Sequence, residues 1–212
     1  MRKRIGVFIG TFNPIHNGHL MMVCHTLNHI GFMDEAIIVP SPKSFGKKDI
    51  IDISHRINMI NLAITELSEF MELRKKIVVS DIEKDLSGYT IDTLNKLQEI
   101  YPDNLLDLVI GADNLENLFK FKDAADIITR FNIIILGRNN NSGSELTQTV
   151  TSGLSEIGLN LSYFHKFYVL PSFPETDLSS TFIRNQVLSR KEIWAYVPKS
   201  VAAYIKYNQL YE

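Results

Sequence analysis

Gly10–Leu20 reads GTFNPIHNGHL, two histidines three residues apart with a glycine between them, directly after the apolar run Ile5-Gly6-Val7-Phe8-Ile9. That run is short, β-rich and closed by a glycine, which predicts a first strand. Beyond it Leu20, Val23, Cys24, Leu27 and Ile30 recur at helical spacing, and Gly31 is a good helix stop. Asn17 is placed to cap this helix, with His16 and His19 flanking its start. Unpaired backbone N–H groups and the dipole at such a turn favour an anion. Two imidazoles add donors without a permanent charge, and Gly10 and Gly18 let the backbone come close to a ligand. A surface coincidence and a zinc pair are the rival readings; zinc requires further ligands, for which Cys24 and His25 are the neighbours on the helix.

Working outward, Ala36 to Val39 is a second apolar run closed by Pro40, and 41–51, SPKSFGKKDII, reads as an irregular basic loop. Ile57, Ile60, Ile64, Leu67 and Met71 predict an amphipathic helix. Ile77–Val79, Leu105–Ile110, Asn132–Leu136 and Phe167–Leu170 are further strands. Thr90–Tyr101 is a helix with Ile91, Leu94 and Leu97 inward. Arg138 to Gly143, RNNNSG, is a flexible loop before a helix carrying Leu146, Val150, Leu154 and Ile157. Strands separated by helical stretches need crossover connections, so the expectation is an α/β fold with a mainly parallel sheet and helices on both faces. The C-terminal helices are expected to pack back on that sheet, and 1–212 to form one domain. Ligands of open α/β sheets lie beyond the carboxyl ends of the strands. That points to Gly10–His19, the 40–48 and 80–90 loops, Gly111–Asn114 and the segment after Leu170.

The totals restrict the function. The chain has 212 residues, 45% hydrophobic and 22% charged, with a formal net charge of −2, an ordinary globular composition. The balance argues against binding a nucleic acid polymer through a broad basic surface. A single cysteine forms no internal disulfide, which fits a reducing cytoplasm. The basic start MRKR precedes an apolar run too short for a signal peptide, and no window has the roughly 18 apolar residues of a membrane span. Monomer and homo-oligomer are left equally open.

Near the far end, Asp177 to Val187 reads DLSSTFIRNQV. Ser179, Ser180 and Thr181 supply hydroxyls at a helix start. Arg184 falls in or near the first turn, where a cation opposes the macrodipole unless an anion is bound there. By itself the cluster reads equally well as plain capping beside a surface arginine.

HxGH after a first strand together with SSTxIR near the C-terminus resembles the nucleotidyltransferase superfamily. Within it, the spacing is similar to bacterial nicotinate-nucleotide adenylyltransferases. His55-Arg56-Ile57-Asn58-Met59 with Ala63 resembles their RxxM helix, Gly88 to Leu94 their SYTIDTL, and Ile110 to Asn114 their IGADN; Val197-Pro198 and Tyr204-Ile205 also have counterparts. The resemblance implies a Rossmann-like nucleotidyltransferase fold and adenylyl transfer from ATP to nicotinate mononucleotide, giving deamido-NAD and pyrophosphate by direct in-line attack. It implies that His16 and His19 contact the ATP phosphates, with Gly10, Thr11, Phe12 and Gly18 around them. It implies that Arg184, Ser180 and Thr181 hold the departing pyrophosphate, and that Gly111 and Asp113 face the ribose. Thr90 with neighbouring backbone would hold the acceptor's pyridine end, and Phe121 stands where the family usually carries a stacking tryptophan. Asp92 is placed with the acceptor-binding residues, although it and Arg56 read equally well as helix-surface residues; Trp194 and Cys24 read as packing residues. Mg²⁺ would ride on the triphosphate, with no dedicated protein cage.

The chain departs from the family's pattern at Ile9, usually a second glycine, and at Asn13, usually aspartate. The 40–48 loop has Lys43, Lys47 and Lys48 but lacks the usual histidine, so Lys47 and Lys48 are the candidates for the acceptor phosphate. Alternatives are nicotinamide mononucleotide as the preferred acceptor, a sister enzyme such as a pantetheine-phosphate adenylyltransferase, and a catalytically silent nucleotide-binding sensor.

Overall fold

Six short apolar runs form the strands β1 (Arg4–Gly10), β2 (Glu35–Pro40), β3 (Ile77–Val79), β4 (Leu105–Gly111), β5 (Asn132–Leu136) and β6 (Phe167–Leu170). The computed structural model describes residues 2–29, 33–42, 49–67, 71–137, 143–170 and 178–212. All pairings are parallel, in the order β3-β2-β1-β4-β5-β6. This is the Rossmann order, in which the winding reverses between β1 and β4. Side chains alternate along each strand, so the central apolar runs feed two cores. Phe8, Ile38, Val109 and Ile134 point to one face, while Val7, Ile37, Leu108 and Ile133 point to the other. With both faces covered, the central strands are apolar on both sides, while the edge strands expose Val78, Tyr168 and Val169.

Helices α1 (Asn17–Asn28), α2 (Ile53–Glu66), α3 (Met71–Arg74), α8 (Ser180–Leu188) and α9 (Lys199–Tyr207) lie on the first face. The other face carries α4 (Thr90–Ile100), α5 (Leu115–Leu118), α6 (Ala124–Arg130) and α7 (Gly143–Glu156). Ile183 of α8 and Val201, Ala202 and Ile205 of α9 join Ile134 and Leu136 of the sheet in one cluster, so the C-terminal helices do pack back on it. The start of α9 has no side-chain cap of its own. Glu66, at the end of α2, supplies one from across the interface, accepting the Lys199 and Ser200 N–H groups at 2.9 and 2.7 Å. A carboxylate at a helix N-terminus also meets the positive end of the dipole.

Two helices differ from the pattern read in the sequence. Asp52 caps α2 through the Ser54 N–H at 2.7 Å, and the helix closes at Glu66, so Met71 opens α3 instead of ending α2. Its buried face carries Arg56, Met59, Ile60, Ala63 and Ile64, with Ile57 half-buried. The face is rotated because Arg56 has three carbonyl partners below it. Helix α1 ends at Asn28 with His29 as its cap; Ile30, Gly31, the lysines 43, 47 and 48, and residues 138–142 lie outside the described residues. Among the described residues, no helix is long and apolar enough to cross a membrane.

Candidate functional site

Gly10 and Gly111 end the two strands at which the sheet reverses, so the turns that follow them border one crevice. The first turn is unusual in how it starts its helix. The N-cap of α1 is His16, not Asn17, with extended backbone at φ −145 and ψ 170. The His16 Nδ1 accepts the His19 N–H at 3.4 Å, and the His19 Nδ1 accepts the His16 N–H at 3.3 Å. Two imidazoles thus form a reciprocal capping box, a role Ser or Thr with Glu usually fills. The rings stack at 3.6 Å with 24° between planes. An Nδ1 that accepts leaves the proton of a neutral imidazole on Nε2. Both rings are therefore held in the tautomer that offers an Nε2–H donor.

The backbone contributes less than the sequence suggested. Asn17 gives its N–H to the Tyr196 carbonyl at 2.9 Å and its side-chain amide to the Ala195 carbonyl at 3.2 Å. With the His19 N–H inside the box, Gly18 keeps the one N–H of these first three without a partner among the described residues. The space a Cβ would need at Gly10 is filled by Phe12, whose Cζ would lie 3.1 Å from it. Phe12 is 6% exposed, has a left-handed φ of 46, and sets its ring edge against His19 at 4.9 Å. A bulky residue in that region stores strain that packing must hold; here it braces the imidazole.

The second motif arrives at the same turn. Ser179 caps α8 by accepting the Phe182 N–H at 3.1 Å. Ser180 donates its hydroxyl to the Pro14 carbonyl at 2.8 Å, and Arg184 donates Nη1–H to the Asn13 carbonyl at 2.9 Å. Its Nη2 meets the Thr181 hydroxyl at 3.2 Å. The fork of a guanidinium has five N–H donors, so most of Arg184 is left for an anion. Arg56, for which a helix-surface place reads equally well in the sequence, is 1% exposed. It donates to the Thr11, Ser41 and Ile51 carbonyls at 2.7, 2.7 and 3.2 Å, binding the first turn to the segment after β2.

Across the switch point, Gly111 admits a close fold-back of its neighbour: a Cβ there would sit 2.4 Å from the Asp113 Oδ1. Thr90 opens α4 after Tyr89, a cap residue without a side-chain bond. The Thr90 and Ile91 N–H groups have no partner among the described residues, since the ladder begins with Asp92 and Thr93 donating to the Tyr89 carbonyl. Asp92 pairs with Ser87 and faces the Lys122 ammonium at 3.9 Å, which in turn lies 4.6 Å from the Tyr89 ring centre. These contacts bring the turn holding Phe121 against the start of α4. Phe121 is half-buried and packs on the second core cluster. Lys47 and Lys48 lie outside the described residues. Cys24 is half-buried beside Leu20, Met21, Leu67 and Leu73, and burial raises its thiol pKa. Trp194 is not a packing residue; it is 45% exposed, while its neighbours Ile193 and Val197 fill the core.

Glu83, in the 3-10 turn after β3, carried no signal among the charges of DIEKD. It is fully buried, accepts the Thr93 hydroxyl through Oε1, and has no partner for Oε2 among the described residues. Burial, then the charge of Asp92, pushes its pKa up to about 7, while burial pushes His16 down to about 4. From pH 4.5 to 6.5 the unfolded chain protonates its histidine and ionises its glutamate; the folded chain does neither. His16 therefore contributes stability that is present above 6.5 and lost as pH falls. Glu83 contributes stability that is present below 4.5 and lost as pH rises. The slopes have opposite sign, each on the order of 1.4 kcal/mol per pH unit. Glu83→Gln should unmask a stability that climbs with pH in this window, and His16→Asn one that declines. Urea unfolding at half-unit pH steps measures both; profiles parallel to the parent chain would contradict the assignment.

The sheet reverses at its first turn, and that turn is clamped by a C-terminal serine and arginine. The family model described as cytidylyltransferase-like matches residues 7–186. The nicotinate-nucleotide adenylyltransferase of Bacillus subtilis is 31% identical, with 99% of each chain covered. A Dehalococcoides mccartyi protein named "Probable nicotinate-nucleotide adenylyltransferase" is 34% identical over 98% of this chain and 97% of its own. The chain belongs to the nicotinate-nucleotide adenylyltransferase family. The fold agrees: the nicotinic acid mononucleotide adenylyltransferase of Plasmodium falciparum, solved in complex with NaAD, superposes with a TM-score of 0.75 at 20% identity, covering 99% of this chain and 98% of that one.

Proposed function

We propose that this chain acts as a single nucleotidyltransferase domain and transfers the adenylyl group of ATP to nicotinate mononucleotide, releasing pyrophosphate, as a step in NAD biosynthesis in the cytoplasm. The observation that carries this reading is the meeting of both motifs on one loop, Ser180 on Pro14 and Arg184 on Asn13. The acceptor phosphate is a nucleophile already, so the protein's task is alignment and charge stabilisation. The Nε2–H donors of His16 and His19 meet the α-phosphate, where charge builds during in-line attack. The Arg184 fork, with Ser180 and Thr181, takes the β and γ phosphates as they leave. Gly111 and Asp113 hold the ribose, a carboxylate accepting from sugar hydroxyls.

Among the described residues no three His, Cys, Asp or Glu side chains gather at metal-binding distance. Phosphate oxygens and water are the donors Mg²⁺ prefers, and the ion would neutralise triphosphate charge when bound. On the acceptor side, the unengaged Thr90 and Ile91 N–H groups at a helix start, with Lys122 beside them, favour a pyridine bearing a carboxylate. Phe121 supplies an apolar face for the ring, and Lys47 or Lys48 the cation for the acceptor phosphate.

Pyrophosphate release with ATP, Mg²⁺ and either pyridine mononucleotide tests this. The nicotinate compound should react at least roughly tenfold faster, since the amide presents no charge to those donors. Equal rates would remove the acceptor assignment, and ATP binding without release would favour a sensor.

A further inference from the structure

The loop carrying His16 is not held by its own strand and helix alone. Asn13, at its middle, is 3% exposed, and each of its side-chain polar atoms is engaged. Its Nδ2 donates to the Asp49 carbonyl at 3.0 Å, and its Oδ1 accepts the Ile51 N–H at 3.4 Å and the Tyr211 hydroxyl at 2.9 Å. Its backbone carbonyl is the one that Arg184 grips. Tyr211 follows α9, far from Asn13 in sequence, and its ring packs on the first core cluster. The chain reaches this place through left-handed backbone at Gln209 and Tyr211, φ 51 and 67, a conformation tolerated in a bulky residue only where the surroundings hold it. Burial raises the pKa of the Tyr211 hydroxyl, against the opposing pull of Arg184 and then Arg56. The hydroxyl thus remains a donor between two guanidinium groups that are themselves bonded to the same loop, Arg184 at Asn13 and Arg56 at Thr11.

We propose that Tyr211 is a positioning residue of the reaction centre: through the Asn13 side chain, its hydroxyl fixes the Asn13 carbonyl on which Arg184 is mounted, and so sets the pyrophosphate-binding guanidinium relative to His16 and His19. This rests on reading that loop and Arg184 as the pyrophosphate end of the site. The Asn13 amide also needs its N–H, since an aspartate there has no donor for the Asp49 carbonyl. The bond is part-buried at 2.9 Å, and removing the hydroxyl leaves Asn13 with the longer Ile51 contact alone on Oδ1. The ring itself remains, so packing is preserved.

The test compares Tyr211→Phe, Asn13→Ala and the double variant in the full chain. Affinity for inorganic pyrophosphate is measured by calorimetry, and kcat and both KM values by pyrophosphate release. Tyr211→Phe should weaken pyrophosphate binding and lower kcat by about five- to tenfold, the range of one lost hydrogen bond, with the acceptor KM unchanged within about twofold. The double variant should be no worse than Asn13→Ala, because the hydroxyl acts only through that side chain. Should Asn13→Ala not fold, Asn13→Leu, which fills the space and has no acceptor for the hydroxyl, replaces it, and the double variant should again be no worse than that single one. A lowered melting temperature with unchanged pyrophosphate affinity and kcat would overturn the proposal, as would multiplying losses in the Asn13→Ala double variant. A parent chain that releases no pyrophosphate from ATP and nicotinate mononucleotide would overturn the reaction instead, and the pyrophosphate affinities would still decide the role of Tyr211.

Discussion

His19→Ala is expected to lower kcat by roughly two to three orders of magnitude while both KM values stay within a few fold. The reason lies in what the capping box does to the ring. The Nδ1 of His19 is committed to the His16 N–H, and the ring is stacked on His16 and braced by Phe12. The donor that remains, Nε2–H, is held in one place before substrate arrives. A donor fixed in advance gains most where charge grows, at the α-phosphate in the transition state, and little where charge is spread over a bound triphosphate. His16 strengthens this arrangement by staying neutral: with its pKa near 4, it lends a donor and a stacking face without a competing charge. His19→Gln separates the two functions of the ring. It can cap a backbone N–H through its oxygen but has no rigid plane to stack, and should recover helix stability without recovering rate. Rapid-quench single turnovers measure the chemical step directly. A variant that changed only KM would remove His19 from the reaction and leave it as a cap.

The parts of the molecule that sequence displays are those built on periodicity and on local caps. Ile5 to Ile9 and Asn132 to Leu136 stand out because strands covered on both faces need continuous apolar runs. Where tertiary partners override the local pattern, the sequence misleads. Asn17 is the better cap residue by propensity, yet His16 takes the place because its ring can exchange bonds with His19 and because Asn17 is drawn to the carbonyls of Ala195 and Tyr196. Arg56 reads equally well as a surface cation, although Met59, Ile60 and Ala63 place it on the apolar stripe at three, four and seven residues' spacing; three carbonyls from separate segments make its burial tolerable. Tyr211 and Glu83 carry no local mark, because each acts on a residue from another part of the fold. The two motifs were legible individually, but their convergence on Asn13 and Pro14 was visible only as a family likeness until the hydrogen bonds of Ser180 and Arg184 were seen.

Arg184→Ala is expected to behave differently from His19→Ala, reducing kcat/KM for ATP by roughly a thousandfold through both parameters. On the proposed reading its guanidinium would meet the β and γ phosphates, which are charged in bound ATP and more so in departing pyrophosphate, so ground state and transition state would both lose a partner. The damage extends to the protein, since the Asn13 carbonyl and the Thr181 hydroxyl each lose the N–H they accept. Arg184→Lys should restore only about tenfold of the loss. A lysine returns the charge as a single point, and it has no planar fork to bond Asn13, Thr181 and an anion together. The acceptor KM should hardly move in either variant, because Thr90, Ile91 and Lys122 lie on the opposite face of the sheet from α8. Inorganic pyrophosphate then separates the two residues: its affinity should collapse in Arg184→Ala and survive in His19→Ala. Equal losses in both variants would mean that histidines and arginine serve one undivided anion site, and the separation of chemistry from leaving-group binding would be wrong.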